Sequence, residues 1–143
     1  MNAQITNPKI SPDQLELILK TNFMEALKDS SLRSFSFSSS AKTLIVEDPN
    51  KTIAILVYRE IEPDRLAEID FVVTAVDHRR KGLAGLLIEN LGAKYSEIWL
   101  ELSSNNSKAL SFYKKHGFLV QGERPNYYEI GVDALNMVKA REA

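Results

Sequence analysis

The 143-residue chain contains no cysteine. That excludes disulfides, a thiolate metal site and a cysteine nucleophile, so any chemistry on a thioester must use other groups. Only two histidines occur, His78 and His116, and neither sits in a carboxylate-rich pattern, so no metal site is indicated. Neither sign of charge is in excess: 18 Lys plus Arg face 19 Asp plus Glu, for a formal net charge of -1. A balanced chain has no global attraction to nucleic acid or to an anionic membrane surface, and any anion site must be local. No stretch approaches the ~20 apolar residues that a membrane span requires, and the opening MNAQITNPKISPDQ holds no apolar signal core. The expectation is a soluble, cytoplasmic protein. Glycine is sparse, and neither the P-loop pattern nor the Rossmann Gly-x-Gly-x-x-Gly occurs.

What is present is enough apolar material for one core: 44% of the residues are hydrophobic, and the expectation is a single domain over residues 1–143. The densest signal is Arg79-Arg80-Lys81-Gly82-Leu83-Ala84-Gly85, three cations and two glycines between a strand-like and a helix-like segment. Ahead of it, Ala67 to Val76 is rich in β-branched residues and reads as a buried strand. After it, Leu83, Leu86, Leu87 and Leu91 fall on one helical stripe, which puts the turn at a helix N-terminus. Free N–H groups and the positive end of the helix dipole attract phosphate oxygens there. Taken alone, such a turn reads equally well as a solvated basic loop capping an ordinary helix.

Elsewhere, Ser11-Pro12-Asp13 reads as an N-cap with proline at the first helical position, and Leu15, Ile18, Leu19, Phe23 and Leu27 supply an apolar face for a helix to about Asp29. Ser30 to Ser40 fits a short strand, a second helical turn or a loop equally well. Lys42 to Glu47 and Thr52 to Ile61 bracket Asp48-Pro49-Asn50 and form an expected hairpin. A turn at Glu62-Pro63-Asp64 adds the next strand, completing an antiparallel meander. Glu97 to Leu102 follows a helix, so it is expected to run parallel to the strand before it. Asn106 to His116 reads as a helix, and Phe118 to Glu123 and Asp133 to Lys139 as closing strands.

Glu101 interrupts the apolar run Ile98-Trp99-Leu100-Glu101-Leu102, where a carboxylate is expensive unless partnered or useful. By itself it also reads as a strand-end partner for a nearby cation. Tyr113, with Ala109 and Phe112, suits a buried helical stripe on composition alone. Asn106 reads as the N-cap of its helix.

Taken together, residues 43–138 resemble the general N-acetyltransferase (GNAT) superfamily, whose acyl-CoA signature Gln/Arg-x-x-Gly-x-Gly/Ala appears as Arg79-x-x-Gly82-x-Ala84. Trp99-Leu100-Glu101-Leu102, Ser104-Asn105-Asn106, Ala109, Phe112-Tyr113, Gly117-Phe118 and Arg124-Pro125-Asn126-Tyr127-Tyr128 are similar to the RimI-type enzymes, which acetylate the α-amine of a ribosomal protein. The chain departs from that group in lacking its N-terminal Pro-Trp-Ser stretch, in carrying Ser103 where arginine is usual, and in the short segment after Tyr128.

The resemblance implies a mixed α/β fold, a mostly antiparallel central sheet with a splayed parallel strand pair and helices on both faces. It implies acetyl-CoA as co-substrate, with main-chain groups of Val72, Val73 and Thr74 along the pantetheine arm. Amides from Arg80 through Leu83 and Ala84 to Gly85 then hold the pyrophosphate, and Arg79, Arg80 and Lys81 add charge. Asn106 matches a residue near the cofactor arm, Tyr113 the general acid for the departing sulfur, and Glu101 the general base. Tyr127 and Tyr128 match a substrate-facing loop. The implied partner is an amine acceptor, foremost a protein N-terminus; lysine or small-molecule amines are the alternative acceptors, and a non-catalytic acyl-CoA-binding module is the alternative of another class. A monomer and a homodimer both fit.

Overall fold

The computed structural model describes residues 4–23, 40–49 and 51–141. Their sheet has seven strands: β1 (Gln4–Thr6), β2 (Lys42–Glu47), β3 (Thr52–Glu62), β4 (Leu66–Thr74), β5 (Glu97–Ser103), β6 (Leu119–Glu129) and β7 (Val132–Ala140). The order across the sheet is β1-β2-β3-β4-β5-β7-β6, and only β4 and β5 pair in parallel. The α-helices among the described residues are α1 (Pro12–Asn22), α2 (Leu83–Lys94) and α3 (Ser107–Lys115).

Helix α1 begins as its sequence dictates. The Ser11 hydroxyl accepts from Gln14 N at 3.1 Å and the Gln14 side chain accepts from Ser11 N at 2.7 Å, a reciprocal cap that satisfies two orphan donors. The helix ends at Asn22, with Phe23 as C-cap, earlier than the expected end near Asp29. The rest of that expectation, including Leu27, and nearly all of Ser30 to Ser40 lie outside the described residues.

Strand β3 is buried on both faces, which explains its unbroken apolar run. Leu56 and Tyr58 join Leu44, Ile69, Leu100, Leu87, Ile88 and Leu91 under α2, while Ile55 and Val57 join Ile45, Leu15, Leu19 and Phe23 under α1. Helices therefore cover both faces, as expected. Leu86 is corrected: it is about half exposed, and Ile88 takes its expected place in the core.

Strand β4 stops at Thr74, two residues short of the expected Val76, because Val76–His78 turns into one 3-10 turn before the glycine-bearing segment. Strand β6 runs on to Glu129, well past the expected Glu123, as the edge of the sheet. An edge strand tolerates Pro125, and irregular pairing beyond Val120 and Arg124 absorbs Gly122 and the left-handed Asn126. The three-residue β1 was not expected from sequence.

Candidate active site

The parallel β4–β5 ladder is short. It pairs Leu66 with Glu97 through Ile69 with Leu100 and then stops, although β4 continues to Thr74 and β5 to Ser103. The two strands therefore part at Asp70 and Glu101. On its outer side β4 stays paired with β3, with a register shift that leaves Asp70 as the extra residue between Ile69, opposite Tyr58, and Phe71, opposite Val57. The shift inverts the pleat: Ile69 belongs to the core under α2, whereas Phe71 packs against the core under α1.

The main chain of Val72, Val73 and Thr74 lies past the last β5 pair, so among the described residues no strand pairs with that edge of β4. The Thr74 carbonyl accepts from Arg79 Nε at 3.3 Å, which folds the cationic turn back onto the strand end. Arg80 and Gly82 both adopt left-handed backbone, φ 66° and 74°, and Gly82 caps α2 with no side chain on the freed amides. Left-handed residues in such turns are the kind that form anion-binding concavities of N–H groups, and Leu83, Ala84 and Gly85 are the first residues of α2, whose amides have no helical acceptor of their own. A Cβ at Gly82 would meet nothing within 4 Å, so the space beside it is open. Nδ1 of His78, just before the turn, is buried with no partner among the described residues. Arg80 and Lys81 are exposed. An open strand edge, a helix start without a side-chain cap and the exposed cations Arg80 and Lys81, which make no ion pair among the described residues, fit an extended, peptide-like ligand ending in phosphates.

Glu101 is the first β5 residue beyond the last β4 partner, and it lies opposite Asn136 of β7. It is half-buried among apolar Leu100 and Leu102, which point to the opposite face. Tyr128 stands within its field: burial first, then the Glu101 charge, then Tyr127 push the Tyr128 phenol above its usual pKa. Tyr127 and Tyr128 meet edge to face at 5.1 Å, with the Arg124 guanidinium 5.3 Å from the Tyr127 ring centroid. They sit on the outer end of β6 and not in a separate loop, held by the Asn126 turn, where Asn126 N donates to Asp133 Oδ1 at 2.9 Å and Asn126 Oδ1 accepts from Gly131 N at 2.7 Å.

Asn106 caps α3, its Oδ1 accepting from Ala109 N at 3.2 Å. Tyr113 lies on the buried side of α3, edge to face with Phe112 at 5.2 Å and Phe118 at 5.4 Å. Burial pushes its phenol up to about 12, so it stays protonated at any ordinary pH.

Asp70 escaped the sequence reading. It is the first β4 residue beyond the last β5 pair, as Glu101 is on β5, and its carboxylate is bonded to Nε of Arg59 on β3 at 3.3 Å, while Arg59 Nη2 also holds Glu68 at 3.2 Å. Burial outweighs the guanidinium and raises its pKa. The signal that singles out Glu101, a carboxylate within an apolar strand, is also present in Ala67 to Val76, which carries two, Glu68 and Asp70. Among the described residues no group of three or more His, Asp or Glu is placed to hold a metal, and no helix is long and apolar enough to cross a membrane.

Comparison with solved structures returns this architecture. A GNAT family acetyltransferase from Elizabethkingia anophelis with acetyl-CoA bound superposes with a TM-score of 0.69 at 18% identity, over 97% of this chain and 98% of that one. The ribosomal-protein alanine N-acetyltransferase from Escherichia coli gives 0.68 at 20% identity, over 98% and 96%. The spermidine N-acetyltransferase from Vibrio cholerae, with CoA and spermine, gives 0.69 at 21% identity, over 96% of each chain. No curated protein matches the sequence. The acetyltransferase (GNAT) domain family matches residues 39–120, from the meander through the splayed strands to the start of β6. That span is more than half of the chain and contains both the cationic turn and Glu101, and the protein accordingly belongs to the GNAT acetyltransferase family.

Proposed function

We propose that this enzyme moves the acetyl group of acetyl-CoA directly to a protein N-terminal α-amine in a ternary complex, with residues 1–143 acting as one cytoplasmic domain. The observation that carries the reading is the place of Glu101, the first residue of β5 beyond its last β4 partner, with Tyr128 inside its field.

In this reading the pantetheine arm lies along Val72, Val73 and Thr74 as a pseudo-strand, which the unpaired edge of β4 supports. Amides from Arg80 to Gly85 hold the pyrophosphate, with charge from Arg79, Arg80 and Lys81. Asn106 borders the cofactor arm from the cap of α3. Glu101, directly or through a water, takes a proton from the entering ammonium. The free amine then bonds to the acetyl carbon as the carbon–sulfur bond breaks, Tyr113 gives its proton to the sulfur, and the surplus proton on the new amide nitrogen passes to the tyrosinate, which restores the phenol. A phenol raised to about 12 by burial remains a competent donor, because the same dry surroundings disfavour a departing thiolate as well. Tyr127 and Tyr128 border the acceptor.

An α-amine, with a pKa of about 7.8, loses its proton near neutral pH at a cost roughly 3.5 kcal/mol smaller than lysine, about 2.6 units higher. The second reading is a small cationic amine, supported by Asp70, a second carboxylate at the point on β4 where the pairing with β5 ends, although its charge is shared with Arg59. Thiol release from acetyl-CoA separates them. Rates with a lysine-free peptide should vanish when its α-amine is blocked, and spermidine should be a poor acceptor; turnover with spermidine but not with free peptides would overturn the proposal.

A further inference from the structure

His116 has no part in the chemistry described above, yet it touches both α2 and α3. As C-cap of α3, its backbone N–H donates to Phe112 O at 3.2 Å and Tyr113 O at 3.1 Å, so its position is fixed to the turn that carries Tyr113. Its ring stacks at 4.6 Å on Phe112. From there it reaches the first turn of α2, where it lies against the bare backbone of Gly85: a Cβ there would stand 2.6 Å from His116 Cε1 and 3.3 Å from Nε2. Carbon atoms do not approach within 3 Å, so a side chain at residue 85 would force the His116 ring to move. The ring cannot swing aside without loss, because it would forfeit its contact with Phe112.

We propose that His116 is a positioning residue that sets α3 against the first turn of α2, coupling the grip on the cofactor's pyrophosphate to the placement of the Tyr113 phenol. The inference rests on the reading that acetyl-CoA binds at the α2 N-terminus. The neutral imidazole is the form that packs on the helix backbone, and the surroundings favour it. Burial, then Lys139 of β7 and Lys115 of α3, lower its pKa against the smaller opposing effect of Glu89 on α2. Packed neighbours with two discrete arrangements are what transmit such coupling.

A double-mutant cycle tests this. CoA dissociation constants are measured by calorimetry for wild type, Gly85→Ala, His116→Ala and the double variant, with kcat at saturating acetyl-CoA and melting temperature alongside. Gly85→Ala is expected to weaken CoA binding roughly tenfold and to lower kcat. With His116 already alanine, the same methyl should cost less than about twofold. Equal losses in both backgrounds, or a change in melting temperature alone, would overturn the proposal. Should Gly85→Ala not fold, His116→Ala by itself decides: kcat at saturating acetyl-CoA falls if the ring positions Tyr113, and stays at the wild-type value if it does not. Failure of the wild type to bind CoA would overturn the cofactor reading itself, whereas additive losses with CoA still bound would overturn only the coupling.

Discussion

Ile69 and Leu100 form the last pair of the only parallel ladder in the sheet, and the next residue on each strand is a carboxylate, Asp70 and Glu101. Neighbouring strands lie about 4.8 Å apart where paired, and the main chains of the two acids mark the point at which β4 and β5 begin to part. Four substitutions in and around that gap test the account.

Tyr113→Phe removes a hydroxyl and leaves the packing against Phe112 and Phe118 in place. Turnover should fall about a hundredfold or more, the ordinary worth of a positioned general acid, with acetyl-CoA affinity and melting temperature nearly unchanged. Because the wild-type phenol stays protonated to about 12, kcat should show no descending limb from this group at moderately alkaline pH. Steady-state kinetics across pH measures both effects.

Glu101→Gln keeps the shape of the side chain and removes the proton acceptor. Activity should drop by about a hundredfold near neutral pH and recover in part at high pH, where the amine is already deprotonated in solution. Wild-type rates across the profile would remove Glu101 from the chemistry.

Gly82→Ala separates backbone strain from ligand approach. An alanine at φ 74° costs about 1–2 kcal/mol, and no neighbouring atom adds to that because the space is open. Thermal denaturation should show that loss, and CoA titration should show a further weakening as the methyl enters the space the ligand needs. Affinity unchanged from wild type would place the phosphates elsewhere.

Asp70 has a raised pKa in the fold, with burial the leading cause, so the folded state binds its proton more tightly than the unfolded chain does. Its contribution to stability is therefore full below the ordinary carboxylate range and is lost as pH rises through the raised value. Asp70→Asn should gain stability relative to wild type over that rise, read as a diverging difference in melting temperature. In activity assays the same change should weaken cationic small amines more than peptides if the second acceptor reading holds.

The sequence made some of this legible and not the rest. The β2–β3 hairpin is bounded by Asp48-Pro49-Asn50, whose turn chemistry is local, and its first strand falls where it was expected. Glu101 stood out as a charge in an apolar strand, and Tyr113 through the resemblance that surrounds it. Strand β6 was read short because Gly122, Pro125 and Asn126 look like turn formers, which an edge strand with irregular pairing accommodates. The parting of β4 from β5 is expected only through the resemblance, because it depends on which residues pair across the sheet, a long-range property with no local mark. The extra residue at Asp70 that inverts the pleat is equally invisible to an alternation count. The contact of His116 with Gly85 joins two helices and can be seen only in three dimensions.

The measurement that tests the central claim most directly offers the enzyme one peptide carrying both a free α-amine and an internal lysine, with acetyl-CoA, and locates the product by mass spectrometry. The account predicts acetyl on the α-amine alone at early times. Acetyl on the lysine side chain, or an unmodified peptide under conditions in which CoA binds, would contradict it.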